Sequence, residues 1–183
     1  MAKDNKIVKN TFLKKLFKNF QPTYRFDKVE NIPYSLIEKD NIKLIMIDMD
    51  NTIIDYSNRE YSKEIKEWTE RMNRNGLKLY ILSNSFLGKQ VKTIAKELGM
   101  KYYYSAGKPF LKGFITIQKK EKINKENILM IGDQIFTDIW GGNRFGIKTI
   151  LVKPINSRER IHTKFKRPFE NIILKRMNKK GAK

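Results

Sequence analysis

The chain contains no cysteine. That excludes a disulfide framework, a thiolate metal site and a cysteine nucleophile. There is one histidine, His162, in the basic tail. It reads as a surface residue and receives no role. Proline is scarce, with 5 in 183 residues. No apolar run reaches the length of a membrane span, and lysines interrupt the apolar residues near the start, so no signal peptide is expected. Acidic residues are few beside basic ones, 19 against 39, for a formal net charge of +20. Hydrophobic residues make up 40% and aromatics 11%, which excludes a wholly disordered chain. The length fits one domain, or one domain with arms. The charge favours anionic partners: nucleic acid, acidic lipid head groups or a phosphorylated substrate. Drift toward Lys, Ile and Asn is the alternative explanation.

The middle of the chain alternates strand and helix signals. Lys43–Asp48 reads as a strand buried on both faces. Ile65, Trp68 and Met72 mark a helix within Tyr61–Asn75, stopped by Gly76. Leu77–Leu82 is again an apolar strand. Val91, Ile94, Ala95 and Leu98 form a second helix face, ended by Gly99. A short strand is expected at Tyr102–Tyr104, a helix over Phe110–Lys122 and a strand at Ile128–Ile131. A helix over Ile135–Phe145 and a strand at Thr149–Val152 follow. This order predicts an α/β fold, a three-layer Rossmann-like parallel sheet with helices on both faces. Residues 43–152 form the core, 1–42 a basic N-terminal arm and 153–183 a basic tail. In the arm, Phe12, Leu13, Leu16, Phe17 and Phe20 make one helical face among lysines. That face either packs on the domain or lies on an anionic membrane. Phe169, Ile172, Ile173 and Met177 make a similar face in the tail.

Polar clusters fall where strands end, the edge at which parallel sheets bind ligands. The first is Asp48-Met49-Asp50-Asn51-Thr52. Two carboxylates two apart can serve one phosphate: the first attacks phosphorus while the second handles a proton. An Asp-rich turn with a helix cap at Thr52 is the competing reading. Ser83, beside Asn84, can hydrogen-bond a phosphate oxygen or simply cap a helix. Lys108 precedes Pro109, which restricts its backbone, and can neutralise a phosphate. Asp133 and Asp138 offer oxygen ligands to a hard cation. Asp138 also suits a helix N-terminus.

Taken in order, these residues resemble the four motifs of the haloacid dehalogenase-like (HAD) phosphohydrolases, over roughly residues 43–152. The resemblance implies that Asp48 is the nucleophile and Asp50 the general acid and then base. It implies phosphate binding by Ser83, Asn84 and Lys108. It implies Mg²⁺ held by Asp48, the Asp50 carbonyl and Asp133, with Asp138 in support. Asp48-Met-Asp-Asn-Thr-Ile-Ile, Ser83-Asn-Ser and Gly132-Asp-Gln-Ile-Phe-Thr-Asp-Ile-Trp-Gly-Gly-Asn143-Arg144 resemble more narrowly the bacterial YqeG group of HAD subfamily IIIA. That group is similar to mitochondrial phosphatidylglycerophosphate phosphatases. Met49 stands where the group usually has Leu.

The spacing leaves no room for a large cap domain after Asp55 or between Ser85 and Lys108, so an open site is expected. The resemblance implies dephosphorylation of phosphatidylglycerophosphate to phosphatidylglycerol. The expected partner is an anionic phospholipid at a membrane surface, with nucleic acid second and no obligate protein partner. The expected location is the cytoplasm, peripheral to the inner face of the membrane. The competing functions are a phosphatase of nucleic-acid ends or of a phosphoprotein, and a silent basic protein that binds RNA or ribosomes.

Overall fold

The computed structural model describes residues 19–156. The apolar faces expected around Phe12 and around Phe169, and His162, lie outside the described residues. The sheet has six strands, all paired in parallel, in the order β1-β6-β5-β2-β3-β4. They are β1 (Tyr24–Phe26), β2 (Leu44–Ile47), β3 (Lys78–Leu82), β4 (Lys101–Tyr103), β5 (Ile128–Gly132) and β6 (Lys148–Val152). The helices are α1 (Tyr34–Lys39), α2 (Lys63–Arg74), α3 (Gly88–Glu97), α4 (Lys112–Glu121) and α5 (Trp140–Phe145).

Alternation along each strand divides the core into two layers. Ile45 and Ile47, Leu79 and Ile81, and Leu129 and Ile131 pack with the buried faces of α2 and α3. Leu44 and Met46, Tyr80 and Leu82, and Ile128 and Met130 pack with Phe114 and Ile117 of α4 and Phe145 of α5. Because both sheet faces are covered at the centre, β2 and β5 read as unbroken apolar runs. Trp68 of α2 is fully buried and donates from Nε1 to the Ile32 carbonyl at 3.0 Å, tying the chain before α1 to this layer.

Helix α2 starts where Ser62 caps the Ile65 N–H, and Gly76, at φ +76°, turns the chain out after it. Several expected boundaries move by a residue or two. The short strand is Lys101–Tyr103, one residue earlier than expected. The helix expected over Ile135–Phe145 opens with a π-helical turn at Ile135–Ile139 before α5. Strand β1 is an addition, drawn from the stretch assigned to the N-terminal arm. Phe20, from the same stretch, is buried against Phe136 and Trp140, with ring centroids 5.3 Å away in both cases. For Phe20, packing on the domain is therefore the correct reading. Asn143 of α5 donates to the Asn19 and Gln21 carbonyls, both at 2.8 Å, and fixes the path of that segment.

Among the described residues no helix is long and apolar enough to cross a membrane. Nor is there a cap domain: residues 55–61 and the segment from Ser85 to Lys108 hold only a loop, and a loop with α3 and β4.

Glu121, at the end of α4, binds Lys78 and Lys101, each at 2.7 Å, with 5% of its side chain exposed. Burial raises its pKa, but Lys101, Lys78 and the Tyr80 hydroxyl outweigh that and lower it to about 2. An unfolded glutamate titrates near about 4.3. The depressed folded value therefore adds stability above about pH 4.3, which is lost as the pH falls toward 2. Replacing Glu121→Gln should lower stability at pH 7 by about 1–3 kcal/mol. The deficit should shrink as urea titrations are taken from pH 5 to pH 2.5, since wild type loses its advantage there.

Candidate active site

The strand order puts β2 at the centre, with β3 and β4 on one side and β5 and β6 on the other. The chain reverses direction across the sheet at β2, and such a point opens a crevice at the carboxyl ends of the strands. Asp48 leaves β2 there and Asp133 leaves β5. Met49, between Asp48 and Asp50, is fully buried in the α2 and α3 layer.

Lys108 sits in the middle of the site, with 1% of its side chain exposed. Its Nζ donates to Asp48 Oδ1 at 2.8 Å and to Asp138 Oδ1 at 2.7 Å. Burial works against the ammonium charge, but Asp138 and Asp48 outweigh it, and the lysine pKa lies above its ordinary value. Asp138 is fully buried. Its Oδ2 accepts the Gln134 N–H at 3.0 Å, so both its oxygens are engaged from inside the protein. Burial pushes Asp138 up to about 6, against the pull of Lys108 and with the push of Asp48.

Asp133 Oδ1 accepts the Thr52 hydroxyl at 3.1 Å. Burial, then the charges of Asp48 and Asp138, hold its carboxyl well above the usual range. Oxygens of Asp48, Asp133 and Asp138 lie within 4.8 Å of one another. Three carboxylates against one ammonium leave two negative charges when all are ionised. A hard divalent cation fits both the oxygen donors and that charge. Asp48 and Asp133 would hold such an ion, since both oxygens of Asp138 are engaged by Lys108 and Gln134.

Asp50 follows two residues after Asp48 on the loop that leaves β2. Its Oδ1 pairs with Arg59 Nη1 at 3.0 Å. Arg59 takes a positive φ of 66° and lies over the Tyr56 ring at 4.6 Å. The sequence did not single out Arg59; among so many basic residues, only its place on the loop after the first motif set it apart.

Ser83, at the end of β3, is fully buried, and its Oγ accepts the Ser85 N–H at 3.0 Å. Its own hydroxyl proton suits a phosphate oxygen. Asn84 stands beside Ser83, and its side-chain amide accepts the Lys108 N–H at 2.7 Å and donates to the Lys108 carbonyl at 3.0 Å. It is a positioning residue that holds the lysine backbone in place.

These features match what comparison with other proteins finds. The model of the family described as mitochondrial PGP phosphatase matches residues 5–156. The chain belongs to that family. It is 35% identical over 166 residues to the probable phosphatase YqeG of Bacillus subtilis (strain 168), covering 91% of this chain and 96% of the relative. It is 25% identical over 161 residues to phosphatidylglycerophosphate phosphatase 1, chloroplastic/mitochondrial, of Arabidopsis thaliana, covering 83% of this chain and 46% of the plant protein. An uncharacterized protein from Listeria monocytogenes serotype 4b shares the fold, with a TM-score of 0.54 at 23% identity over 66% of this chain and 85% of that one. The protein is an enzyme, a phosphatase of HAD type.

Gly132, the last residue of β5, makes the site possible. A Cβ there would run into the Asp138 carboxylate. Gly132→Ala should push Asp138 off Lys108 and cut kcat on an aryl phosphate by about 10²-fold, the usual effect of misplacing a catalytic group. A melting curve beside the assay separates that loss from unfolding.

Proposed function

We propose that the protein removes the terminal phosphate of phosphatidylglycerophosphate, with Mg²⁺ as cofactor, at the surface of a membrane. The observation that carries the chemistry is the Asp48 carboxylate, held 2.8 Å from a buried lysine, with Asp133 beside it and Asp50 on the same loop. The lipid substrate is supported by the family model and by the name of the Arabidopsis relative.

In the first step an Asp48 oxygen attacks phosphorus and forms an aspartyl phosphate. The bond from phosphorus to the lipid alkoxide breaks, and Asp50 gives its proton to that oxygen. In the second step water attacks the same phosphorus. Asp50 takes a proton from it, the Asp48–phosphate bond breaks, and inorganic phosphate leaves. The sum is monoester plus water to alcohol plus phosphate. Arg59 holds Asp50 in position between the steps. Lys108 keeps Asp48 aimed and offers positive charge to the transferring group, while Ser83 supplies a hydrogen bond. Phosphoryl transfer depends chiefly on such placement and charge. Asp48 and Asp133 would hold Mg²⁺, which supplies charge neutralisation where the phosphate and the nucleophile meet.

The expected partner is the anionic bilayer that carries the substrate, with the enzyme peripheral on its cytoplasmic face. An open site suits such a substrate, because the lipid's tails need not be enclosed. Phosphate release from phosphatidylglycerophosphate in mixed micelles tests the reading. Release should be fast with Mg²⁺, absent with EDTA, and lowered by about 10³-fold or more in Asp48→Asn, as when a nucleophile is removed. Release from an aryl phosphate alone would keep the chemistry and reject the lipid. No release from either would favour a binding protein.

A further inference from the structure

Two of the loops at the catalytic edge carry large apolar side chains that the core leaves outside. Phe86 is 86% exposed, Leu87 55% and Phe110 72%. Phe86 and Leu87 directly follow Ser83-Asn84-Ser85, and Phe110 follows Lys108-Pro109. The two loops are stitched together beside the site. Ser105 N–H donates to the Ser85 carbonyl and Ala106 N–H to the Ser83 carbonyl, each at 3.0 Å, in addition to the Asn84–Lys108 clamp. Tyr104, itself half exposed, stacks on Tyr102 and lies so close to Gly88 that a Cβ there would meet its ring at 3.0 Å. Single exposed apolar residues are ordinary. Several on joined loops around a catalytic mouth mark a docking surface.

Charge identifies the occupant. Lys89 and Lys112, both exposed, open the helices that leave the two loops, and no acidic residue lies between Ser83 and Lys96 or between Gly99 and Lys120. Apolar tips with exposed lysines beside them match the acyl boundary and phosphates of an anionic bilayer. On the other flank Thr52 borders a cleft of about 600 Å³ whose wall mixes the carboxylates of Asp55 and Glu60 with Lys153, Ile65, Pro154 and Ile155.

We propose that Phe86, Leu87 and Phe110 form an apolar rim that enters an anionic bilayer and sets the Asp48 cleft against a lipid phosphate. The orientation rests on the lipid reading above, but the rim is tested without substrate. Full-length protein is floated with vesicles of phosphatidylglycerol and phosphatidylcholine that contain no phosphomonoester lipid. Wild type should bind. The triple variant Phe86→Ser, Leu87→Ser, Phe110→Ser should bind about tenfold more weakly or worse, as expected when buried apolar contacts are lost. Its melting temperature should stay near that of wild type, because these side chains lie outside the core.

The absence of cysteine allows a second measurement that does not depend on the triple variant folding. Phe110→Cys carrying an environment-sensitive fluorophore should shift to the blue when vesicles are added. The same label at Asn75→Cys, exposed at the opposite sheet edge, should not. An unshifted Phe110 label, equal binding by a folded triple variant, or no binding by wild type would each overturn the rim. The last result would point to a protein partner on this face. Vesicle binding through the rim without hydrolysis of phosphatidylglycerophosphate would uphold the rim and reject the substrate.

Discussion

The ammonium of Lys108, enclosed with the carboxylates of Asp48 and Asp138, is the interaction on which the site depends. Charges out of water are costly, and a buried ion pair holds only when geometry and hydrogen bonds are good. Removing one partner of such a pair typically costs about 3–5 kcal/mol, because the other charge is then stranded. The surrounding structure serves this constraint. Asn84 clamps the Lys108 backbone. The π-helical turn brings Asp138 back under β5, where the Gln134 N–H holds its second oxygen. Gly132 leaves the space that Asp138 occupies. On the proposed mechanism Asp48 is thus aimed before substrate arrives, which is where an enzyme moving phosphoryl groups gains most.

The sheet supplies the frame. Because β2 is central and the strand order reverses there, loops from β2, β3 and β5, and the one after β4, open onto one edge. The mouth of the site is uneven. On the β3 and β4 side it carries the exposed Phe86, Leu87 and Phe110, and on the side of Thr52 it mixes carboxylates, lysines and apolar residues. On the proposed lipid reading, the exposed rim would let a membrane cover the cleft that no cap covers among the described residues.

Much of this was legible in the residues. Ile65, Trp68 and Met72 repeat at helical spacing because one face of α2 must be buried, and Ser62 and Gly76 mark its ends by backbone chemistry. The strands β2 and β5 are apolar throughout, and β3 after its first residue, because both their faces are covered, so the polar residues after them stood out. Strand β1 was not legible: Tyr24–Phe26 is short, includes an exposed arginine, and pairs only with β6, 126 residues away. The π-helical turn was not legible either, since Ile135–Ile139 has the composition of an ordinary helix start. The clamp of Asn84 on Lys108 was not legible, because only the fold brings the Lys108 backbone within reach of its amide.

The sequence by itself determined the layered α/β fold, the order of the strand-end clusters and the residue types that phosphoryl transfer requires. These follow from short-range periodicity and turn chemistry, which neighbouring residues carry. Tertiary structure decided which of those groups touch. It set Lys108 between Asp48 and Asp138, turned Arg59 onto Asp50, gave Asn84 to the lysine backbone and left Phe86 and Phe110 outside the core. Each of these pairings or exposures joins residues from different strands and loops, or depends on space between them. Their distances are set by packing across the sheet, and no local pattern in the chain encodes them.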